Sequence, residues 1–182
     1  TNIDLSSLVE CWEGSDNRLW LKHPNKAHSN GIVLEDHLLS RPELKDAINN
    51  HKTITFNLPI TNTDRSVCAK ISGEIAELHG NKGFKGILNI KFTGAAGQSF
   101  GAFLLKGMHI KLIGEANDYV CKGMNGGILT VVPKMIDLNS SNQVILGNTC
   151  LYGATGGKLY ALGKSGERFA VRNSGATAVT EG

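Results

Sequence analysis

A repeating pattern of glycine turns between short apolar runs is the feature that most restricts how this chain can fold. From Gly86 onward, runs of four or five mostly apolar residues alternate with turns that close in Gly-Gly or Gly-Ala. The stretch Gly147–Tyr152 aligns with Gly166–Val171, 19 residues later, without a gap. A strand-rich unit of this size cannot bury its own apolar face, so copies of it must stack as a solenoid.

Glycines mark the corners of this repeat. A tight corner requires either a positive φ or a close approach of two backbones, and glycine allows both at low cost. The spacing from Gly127 to Gly157 is longer than the offset of the later repeat, and the excess predicts a strand-free loop inserted around Pro133 to Asn142. The predicted structural corners are Gly123, Gly126, Gly127, Gly153, Gly156, Gly157 and Gly175.

This pattern favours a mainly β chain folded as a single-stranded parallel β-helix. No helix is expected after Gly86, because the apolar runs are short and rich in Ile, Leu and Val. An antiparallel β-sandwich is the rival architecture, but it would favour two-residue hairpin turns such as Asn-Gly between equal strands.

The N-terminal part mixes helix and strand patterns. Ser40 and Glu43 have the spacing of a capping box, with Pro42 in the first turn, and predict a short helix from about Arg41 to Asn49. The alternating segment Lys52–Ile60 then predicts a half-buried strand.

A second, amphipathic helix is predicted after Asp64, which would be its N-cap. Gly80 is the expected C-terminal stop of this helix. It is expected to lie across the end or side of the sheet. Its apolar face would consist of Val67, Ile71, Ile75 and Leu78.

Composition excludes several classes of function. The 182 residues suit a single domain, and no apolar run approaches the ~20 residues needed to span a bilayer, so no membrane contact is expected. The segment Thr1–Trp20 shows no secretory signal, and a start at Thr1 suggests an excised piece. The lysines are scattered and aromatic residues make up only 6%, which disfavours nucleic acid as a partner.

The cysteines and histidines show no metal-binding spacing. Without a Cys-x-x-Cys pair, the cysteines are interpreted as reduced thiols of an intracellular protein. The histidines form no His-Glu-x-x-His motif, so no metal site is predicted. These residues are Cys11, Cys68, Cys121, Cys150, His23, His28, His37, His51, His79 and His109.

Possible catalytic residues have simpler structural interpretations, and no catalytic residue is predicted. Gly163-Lys164-Ser165 resembles the end of a Walker A motif, but Lys158 stands where that motif requires glycine. Glu115 and Asp118 have the residue types of a glycosidase acid/base pair. A corner role is favoured for them, because Asn and Asp side chains bind local backbone in turns.

Five runs, in order along residues 50 to 182, carry a resemblance to a known family. They begin at Asn62, Gly97, Gly114, Gly147 and Gly166, and they include the sequences Gly-Gln-Ser-Phe-Gly, Gly-Glu-Ala-Asn-Asp-Tyr-Val and Gly-Glu-Arg-Phe-Ala-Val-Arg-Asn-Ser. Together they closely resemble the C-terminal GXGXG domain of glutamate synthase large (alpha) subunits. The resemblance implies a right-handed parallel β-helix over residues 51–182, with residues 1–50 as a connecting segment that contains a short helix.

The resemblance also implies a role in nitrogen metabolism and glutamate biosynthesis. The parent oxidoreductase hydrolyses glutamine, channels ammonia and reduces the 2-oxoglutarate adduct on FMN beside a 3Fe-4S cluster. Those sites belong to other domains, which are the implied partners, so no cofactor is expected in this chain. Its implied role is to hold those domains at the right spacing, in the cytoplasm or the plastid stroma.

Two departures from the family pattern stand out. The family continues beyond the Val-Thr-Glu-Gly sequence that ends this chain, so the last coil is expected to be missing and the open edge to allow self-association. Cys121 replaces a common family glycine and implies local repacking.

Two alternatives remain at this stage. The first is a GXGXG subunit of another redox complex, such as formylmethanofuran dehydrogenase. The second is a stand-alone β-helix enzyme that acts on carbohydrate and uses Asp118.

Overall fold

The computed structural model describes residues 3–10, 29, 31–136 and 139–182. The chain divides into two compact units, Thr1–Gly31 and Ile32–Gly182. In the first unit, the short helix α1 (Ser6–Val9) begins where the Asp4 carboxylate accepts hydrogen bonds from the Ser6 hydroxyl and the Ser6 N–H, and these bonds lower the pKa of Asp4. The predictions for Cys11, His23 and His28 lie outside the described residues.

The second unit is a parallel sheet, and its described N-terminal part contains three α-helices where one or two were predicted. The helices are α2 (Leu34–Leu39), α3 (Pro42–Asn49) and α4 (Ala69–His79), and two 3-10 helices span Gly80–Lys82 and Ser140–Asn142. The strands are β1 (Thr53–Ile60), β2 (Ile87–Ala96), β3 (Met108–Ala116), β4 (Asn125–Val132), β5 (Val144–Leu146), β6 (Gly156–Ala161), β7 (Lys164–Ser165) and β8 (Thr177–Thr180).

Every strand pairing in the sheet is parallel. The main path runs β1-β2-β3-β4-β6-β8, while β5 pairs with both β3 and β7. The partner registers reproduce the spacings expected from the sequence. Ile128 pairs with Lys158 at the longer spacing seen between Gly127 and Gly157, and Lys158 pairs with Thr177 at the shorter spacing of the later repeat. The all-parallel pairing rules out the antiparallel sandwich.

The longer spacing arises from the segment between β4 and β6. Its described residues from Pro133 to Asn142 contain no strand, as predicted, although they contain the 3-10 helix Ser140–Asn142. β5 follows this loop and returns the chain to the sheet beside β3.

Helix α3 confirms the helix predicted from Arg41 to Asn49, but the predicted capping box is wrong. Arg41 occupies the N-cap position without a side-chain capping bond. The Ser40 hydroxyl instead donates to the carbonyl of His37, because Ser40 ends helix α2.

Helix α4 begins five residues later than the predicted cap at Asp64. The Asp64 carboxylate accepts hydrogen bonds from the Thr61 N–H at 2.8 Å and from the Thr61 hydroxyl, so it stabilises the turn after β1. Cys68, with a φ of 86°, immediately precedes the helix, and Gly80 ends it as predicted. Leu78 is 54% exposed, so its predicted place on the buried face is wrong.

A buried carboxylate from a different helix satisfies the start of α4. Glu35 of α2 accepts hydrogen bonds from the N–H groups of Ile71 and Lys70, at 3.1 and 3.4 Å. Helix N-termini present unpaired N–H groups and a partial positive charge, both of which suit a carboxylate. Burial nevertheless raises the pKa of Glu35, and the N–H donors oppose that shift.

The core lies between the inward faces of the strands and the turns that connect them. Residues alternate along β2 and β3, so that Leu88, Ile90 and Phe92 point inward. The rings of Phe92 and Phe100 meet edge to face, with centroids 5.4 Å apart. Each fully buried side chain of this size contributes about 1.5–3 kcal/mol, so the stacked interior is the main source of stability.

Candidate functional site

Four turn segments share one backbone conformation, and the predicted glycine corners lie in or just after them. They are residues 99–103, 119–123, 149–153 and 168–172, and we refer to them as the first to fourth turn segments. In each, every second residue has a φ between 57° and 70°. These residues are Ser99, Gly101, Phe103, Tyr119, Cys121, Gly123, Thr149, Leu151, Gly153, Arg168, Ala170 and Arg172.

Hydrogen bonds between successive turn segments hold them in this conformation. In the second segment, the N–H of Tyr119 donates forward to the Asn148 carbonyl and that of Gly123 to a carbonyl of the third segment, each at 2.9 Å. The N–H of Cys121 donates back to the Phe100 carbonyl, also at 2.9 Å. A non-glycine residue in this region costs on the order of 1–2 kcal/mol, so it persists only where surrounding bonds and packing require it.

The seven predicted glycine corners fall into two geometric groups. Four have a positive φ, between 64° and 93°, and they are Gly123, Gly127, Gly153 and Gly157. At the other three, a Cβ atom would collide with the backbone of a preceding coil, and these are Gly126, Gly156 and Gly175. Each position therefore has one of the two properties for which glycine was expected.

The non-glycine residues with positive φ were not anticipated. Tyr119, Cys121, Arg168, Ala170 and Arg172 adopt a backbone conformation that their side chains disfavour. The alignment of the repeat contained a signal, because its offset places Arg172 opposite Gly153. A glycine and an arginine at equivalent positions indicate that packing, and not residue type, decides the conformation there.

Asp118 and Asn148 form a ladder of side-chain hydrogen bonds along the corners. Asp118 Oδ1 accepts from the N–H of Asn148, and Asn148 Oδ1 accepts from the N–H of Glu167, both at 2.7 Å. The bonded residues are 30 and 19 positions apart, so these bonds connect distant parts of the chain and are not the local backbone bonds that the corner interpretation predicted. Glu115, which the sequence suggested as a possible acid/base partner of Asp118, is exposed. Both residues border one cleft of about 400 Å³.

The three described thiols are closed off from solvent. Cys68, Cys121 and Cys150 are each 0% exposed and form no disulfide. Burial raises the pKa of Cys68 and Cys121 well above the usual range and raises that of Cys150 to about 12. A nucleophilic thiol needs a lowered pKa and access to substrate, so these side chains act as small core residues.

Two histidines pack together where helices α3 and α4 end. The ring centroids of His51 and His79 are 4.2 Å apart, and Phe84 lies beside both. Desolvation lowers the pKa of His51, and the positive charges of His79 and Lys85 add to this effect. His79 Nε2 lies 2.8 Å from the carbonyl of Ile48, which joins the ends of the two helices.

Neither a metal site nor a membrane span is found within the part of the chain that the structure describes. These residues contain no group of three or more His, Cys, Asp or Glu side chains placed to hold a metal ion. None of the helices described is both long and apolar enough to cross a bilayer.

Comparisons with known proteins confirm the resemblance found in the sequence. The sequence model of the family described as "GXGXG motif" matches residues 35–182. Ferredoxin-dependent glutamate synthase 2 of Synechocystis sp. is 53% identical over 182 residues, which is all of this chain and 12% of that protein. The ferredoxin-dependent glutamate synthase of Pyropia yezoensis is 54% identical over 181 residues, or 99% of this chain and 11% of that protein.

A plant relative shows the same relationship. The chloroplastic ferredoxin-dependent glutamate synthase of Oryza sativa is 56% identical over 187 aligned residues, which cover all of this chain and 11% of the plant protein. The chain therefore spans only about a tenth of the length of these three relatives.

Proposed function

The chain belongs to the GXGXG motif family, and from this premise we propose that it is the non-catalytic, architectural part of a ferredoxin-dependent glutamate synthase. The observation that carries the proposal is the identity of 53–56% to such enzymes along essentially the whole chain. These relatives favour glutamate synthase over the alternative parent complex. The proposed parent converts glutamine and 2-oxoglutarate to two glutamates, with FMN and a 3Fe-4S cluster held outside this chain.

The proposed architecture is a right-handed, single-stranded parallel β-helix over residues 51–182. All pairings are parallel, and the offsets between paired residues from β2 to β8 along the main path are nearly equal, apart from the longer one at the inserted loop. Parallel strands joined by a crossover connection are almost always right-handed, which favours that hand. Residues 1–50 would be the connecting segment, with α2 and α3 closing the first coil.

The proposed role is to hold the catalytic domains of the parent at a set distance. A stack of coils bonded to both neighbours is stiff, and channelled chemistry loses rate when reacting groups are misplaced by about 1 Å. The seven glycine corners would act as structural residues that permit this stacking. The Asp118–Asn148 ladder supports the proposal, because both side chains accept bonds from corner backbone.

The immediate partners would be the other domains of the same large subunit. Among the described strands, β8 is bonded only to β6, and its free edge is where isolated chains would self-associate. The relatives come from a cyanobacterium, a red alga and a chloroplast, which supports the bacterial cytoplasm or the plastid stroma as the location.

A reconstitution experiment tests the architectural role. The purified chain is mixed with a large subunit from which the corresponding residues have been removed. Glutamine-dependent formation of glutamate from 2-oxoglutarate is then followed. Restored coupling is expected, since the module supplies shape and not reacting groups.

Two controls make the result decisive. Chain carrying Asp118→Asn retains the Oδ1 acceptor and should restore coupling as well as the unmodified chain does. Loss of coupling with a folded Asp118→Asn chain would show that the carboxylate does more than accept the hydrogen bond, and it would contradict the proposal. Stoichiometric flavin or iron in the isolated chain would also contradict it.

A further inference from the structure

The outer face of the main sheet carries half-buried apolar side chains beside exposed lysines, and we call this group of residues the outer patch. In this patch, Ile128 pairs in register with His109 and with Lys158, and Lys111 pairs with Lys91. The strands present these residues on the face opposite the core, because inward and outward side chains alternate. The outer patch consists of Lys91, His109, Lys111, Ile113, Ile128, Val132, Lys158 and Tyr160.

The outer patch contains three lysines and no carboxylate. Lys91 and Lys111 are both exposed and lie directly opposite each other on adjacent strands, about 4.8 Å apart at the backbone. Like charges in this position disfavour the pairing. Within the eight described strands, the sole carboxylate is Glu115, which pairs with Ala95 outside the patch. Glu115 lies on the same outward face, four residues along β3 from Lys111, so no carboxylate of the described strands lies directly beside the lysine pair.

The apolar side chains of the patch lie on β3, β4 and β6. Ile113 pairs with Val132, and both are half-buried, as are Ile128 and Tyr160. Protein interfaces combine apolar side chains with charged residues, and an aromatic residue such as Tyr160 often serves as an anchor. A purely solvated sheet face would not need this arrangement.

We propose that the outer patch docks an acidic surface on another domain of the same large subunit. This inference rests on the proposed function, and it identifies which face of the module carries the contact. Three exposed lysines with no carboxylate among them require negative charge on the partner. About nine-tenths of each related polypeptide lies outside the region that matches this chain, so the partner surface is available within one subunit.

Lysine footprinting of the full-length large subunit tests the location of the contact. Acetylation of Lys91 and Lys111 should be at least about tenfold slower in the full-length protein than in the isolated chain, because docking excludes the reagent. A zero-length carbodiimide should link these lysines to Asp or Glu residues outside residues 1–182 of the same polypeptide. Equal reactivity in both proteins, or links only to a separate protein, would overturn the proposal.

Charge reversal separates this proposal from the architectural one. Chain carrying Lys91→Glu and Lys111→Glu should bind the truncated subunit at least about tenfold more weakly than the unmodified chain, because like charges now face each other. Binding of unmodified chain should weaken with rising salt. The matched control, Lys106→Glu with Lys122→Glu, makes the same charge change off the patch and should bind normally.

Different outcomes would contradict the docking proposal and the architectural proposal. If the unmodified chain restores coupling and the patch variant restores it equally, the docking role proposed for the outer patch is wrong and the architectural role stands. If unmodified chain fails to restore coupling while Lys91 and Lys111 are protected and cross-linked in the full-length protein, the patch stands and the role in trans does not.

Discussion

The second and fourth turn segments follow the same backbone path with different residues. In the second, the positive φ positions are Tyr119, Cys121 and Gly123, whereas the fourth segment has Arg168, Ala170 and Arg172 at the equivalent places. The φ angles nevertheless agree within a few degrees, at 58–64° and 57–58°. Residue type therefore does not determine this conformation.

The two segments differ in how they are enclosed. Val120 and Cys121 of the second segment are fully buried, while Phe169 and Ala170 of the fourth are half-buried. The second segment donates hydrogen bonds both forward and back. Within the described residues, the fourth donates to a neighbouring coil only from Ala170, back to Cys150. Hydrogen bonding to the preceding turn segment is thus enough to hold this backbone path, and bonds on both sides accompany full burial.

The largest expected effect concerns the buried thiols of the second and third turn segments, Cys121 and Cys150. At pH 8, Cys150 should react with a thiol reagent about a thousandfold more slowly than an exposed cysteine, because its pKa is raised from 9.0 to about 12. Cys121 should be at least as protected. Peptide mass spectrometry after timed alkylation measures each cysteine separately, and denatured chain is the control. Fast labelling of Cys121 in the folded chain would show that the second segment is not closed.

Replacing Gly127, which follows the second segment, should destabilise the fold far more than replacing Gly153 in the third segment. Gly127→Ala should lower the free energy of unfolding by about 3 kcal/mol, since φ is 76° and a Cβ would lie 2.6 Å from the carbonyl oxygens of Leu105 and Met108. Gly153→Ala, with a φ of 66° and no atom within 4 Å, should cost only about 1 kcal/mol.

Urea unfolding of both variants measures this difference. The equivalent of Gly127 in the last coil is Ala176, which shows that the stack accepts a Cβ there when the local φ is not positive. Equal losses for the two variants would mean that backbone contact between coils contributes little.

The side-chain ladder should contribute a smaller amount. Asp118→Ala should cost about 1 kcal/mol, because the N–H of Asn148 loses its 2.7 Å acceptor. Asp118→Asn retains that acceptor and should unfold within about 0.5 kcal/mol of the unmodified chain. Thermal unfolding of both variants checks this order. A costly Asn variant would mean that the negative charge matters more than the hydrogen bond.

The smallest effect is expected at the exposed end of the fourth segment. Arg172→Gly should change stability by about 0.5 kcal/mol or less, because relief of the positive φ is offset by the greater freedom of glycine in the unfolded chain. Arg172→Ala is the matched control, since it keeps the strained φ. A loss of several kcal/mol in Arg172→Gly alone would show that the arginine side chain, and not stacking, holds the turn.

Local patterns predicted much of this fold. The helix from Pro42, the strand ending at Ile60 and the stop at Gly80 all follow from residues close in sequence. The shorter and the longer spacing of the repeat both emerged as strand registers, since equal spacing places equivalent residues of a stack side by side.

The predictions that failed were made from local spacing. The capping box at Ser40 failed because that residue ends α2, and two others failed because distant residues decided the outcome. Asp64 has the right residue type and position for an N-cap, but the cap of α4 comes from Glu35, which lies on a helix before the first strand. Leu78 fits the apolar face by spacing, yet it is exposed because the helix contacts the core mainly through Ile71 and Ile75. The position of a partner across the fold is not encoded in local spacing.

The sequence by itself determined the family and the spacing of the repeat, and it placed glycine at the predicted corners, whose structural role stays a prediction. Those features depend on short-range sterics and on periodicity, both of which can be recognised from one sequence. Only the tertiary structure decided that Tyr119, Cys121 and Arg168 adopt positive φ, and that Lys91 and Lys111 lie side by side. Both outcomes depend on which coil lies against which, because packing supplies the energy that holds a disfavoured backbone and brings distant charges together.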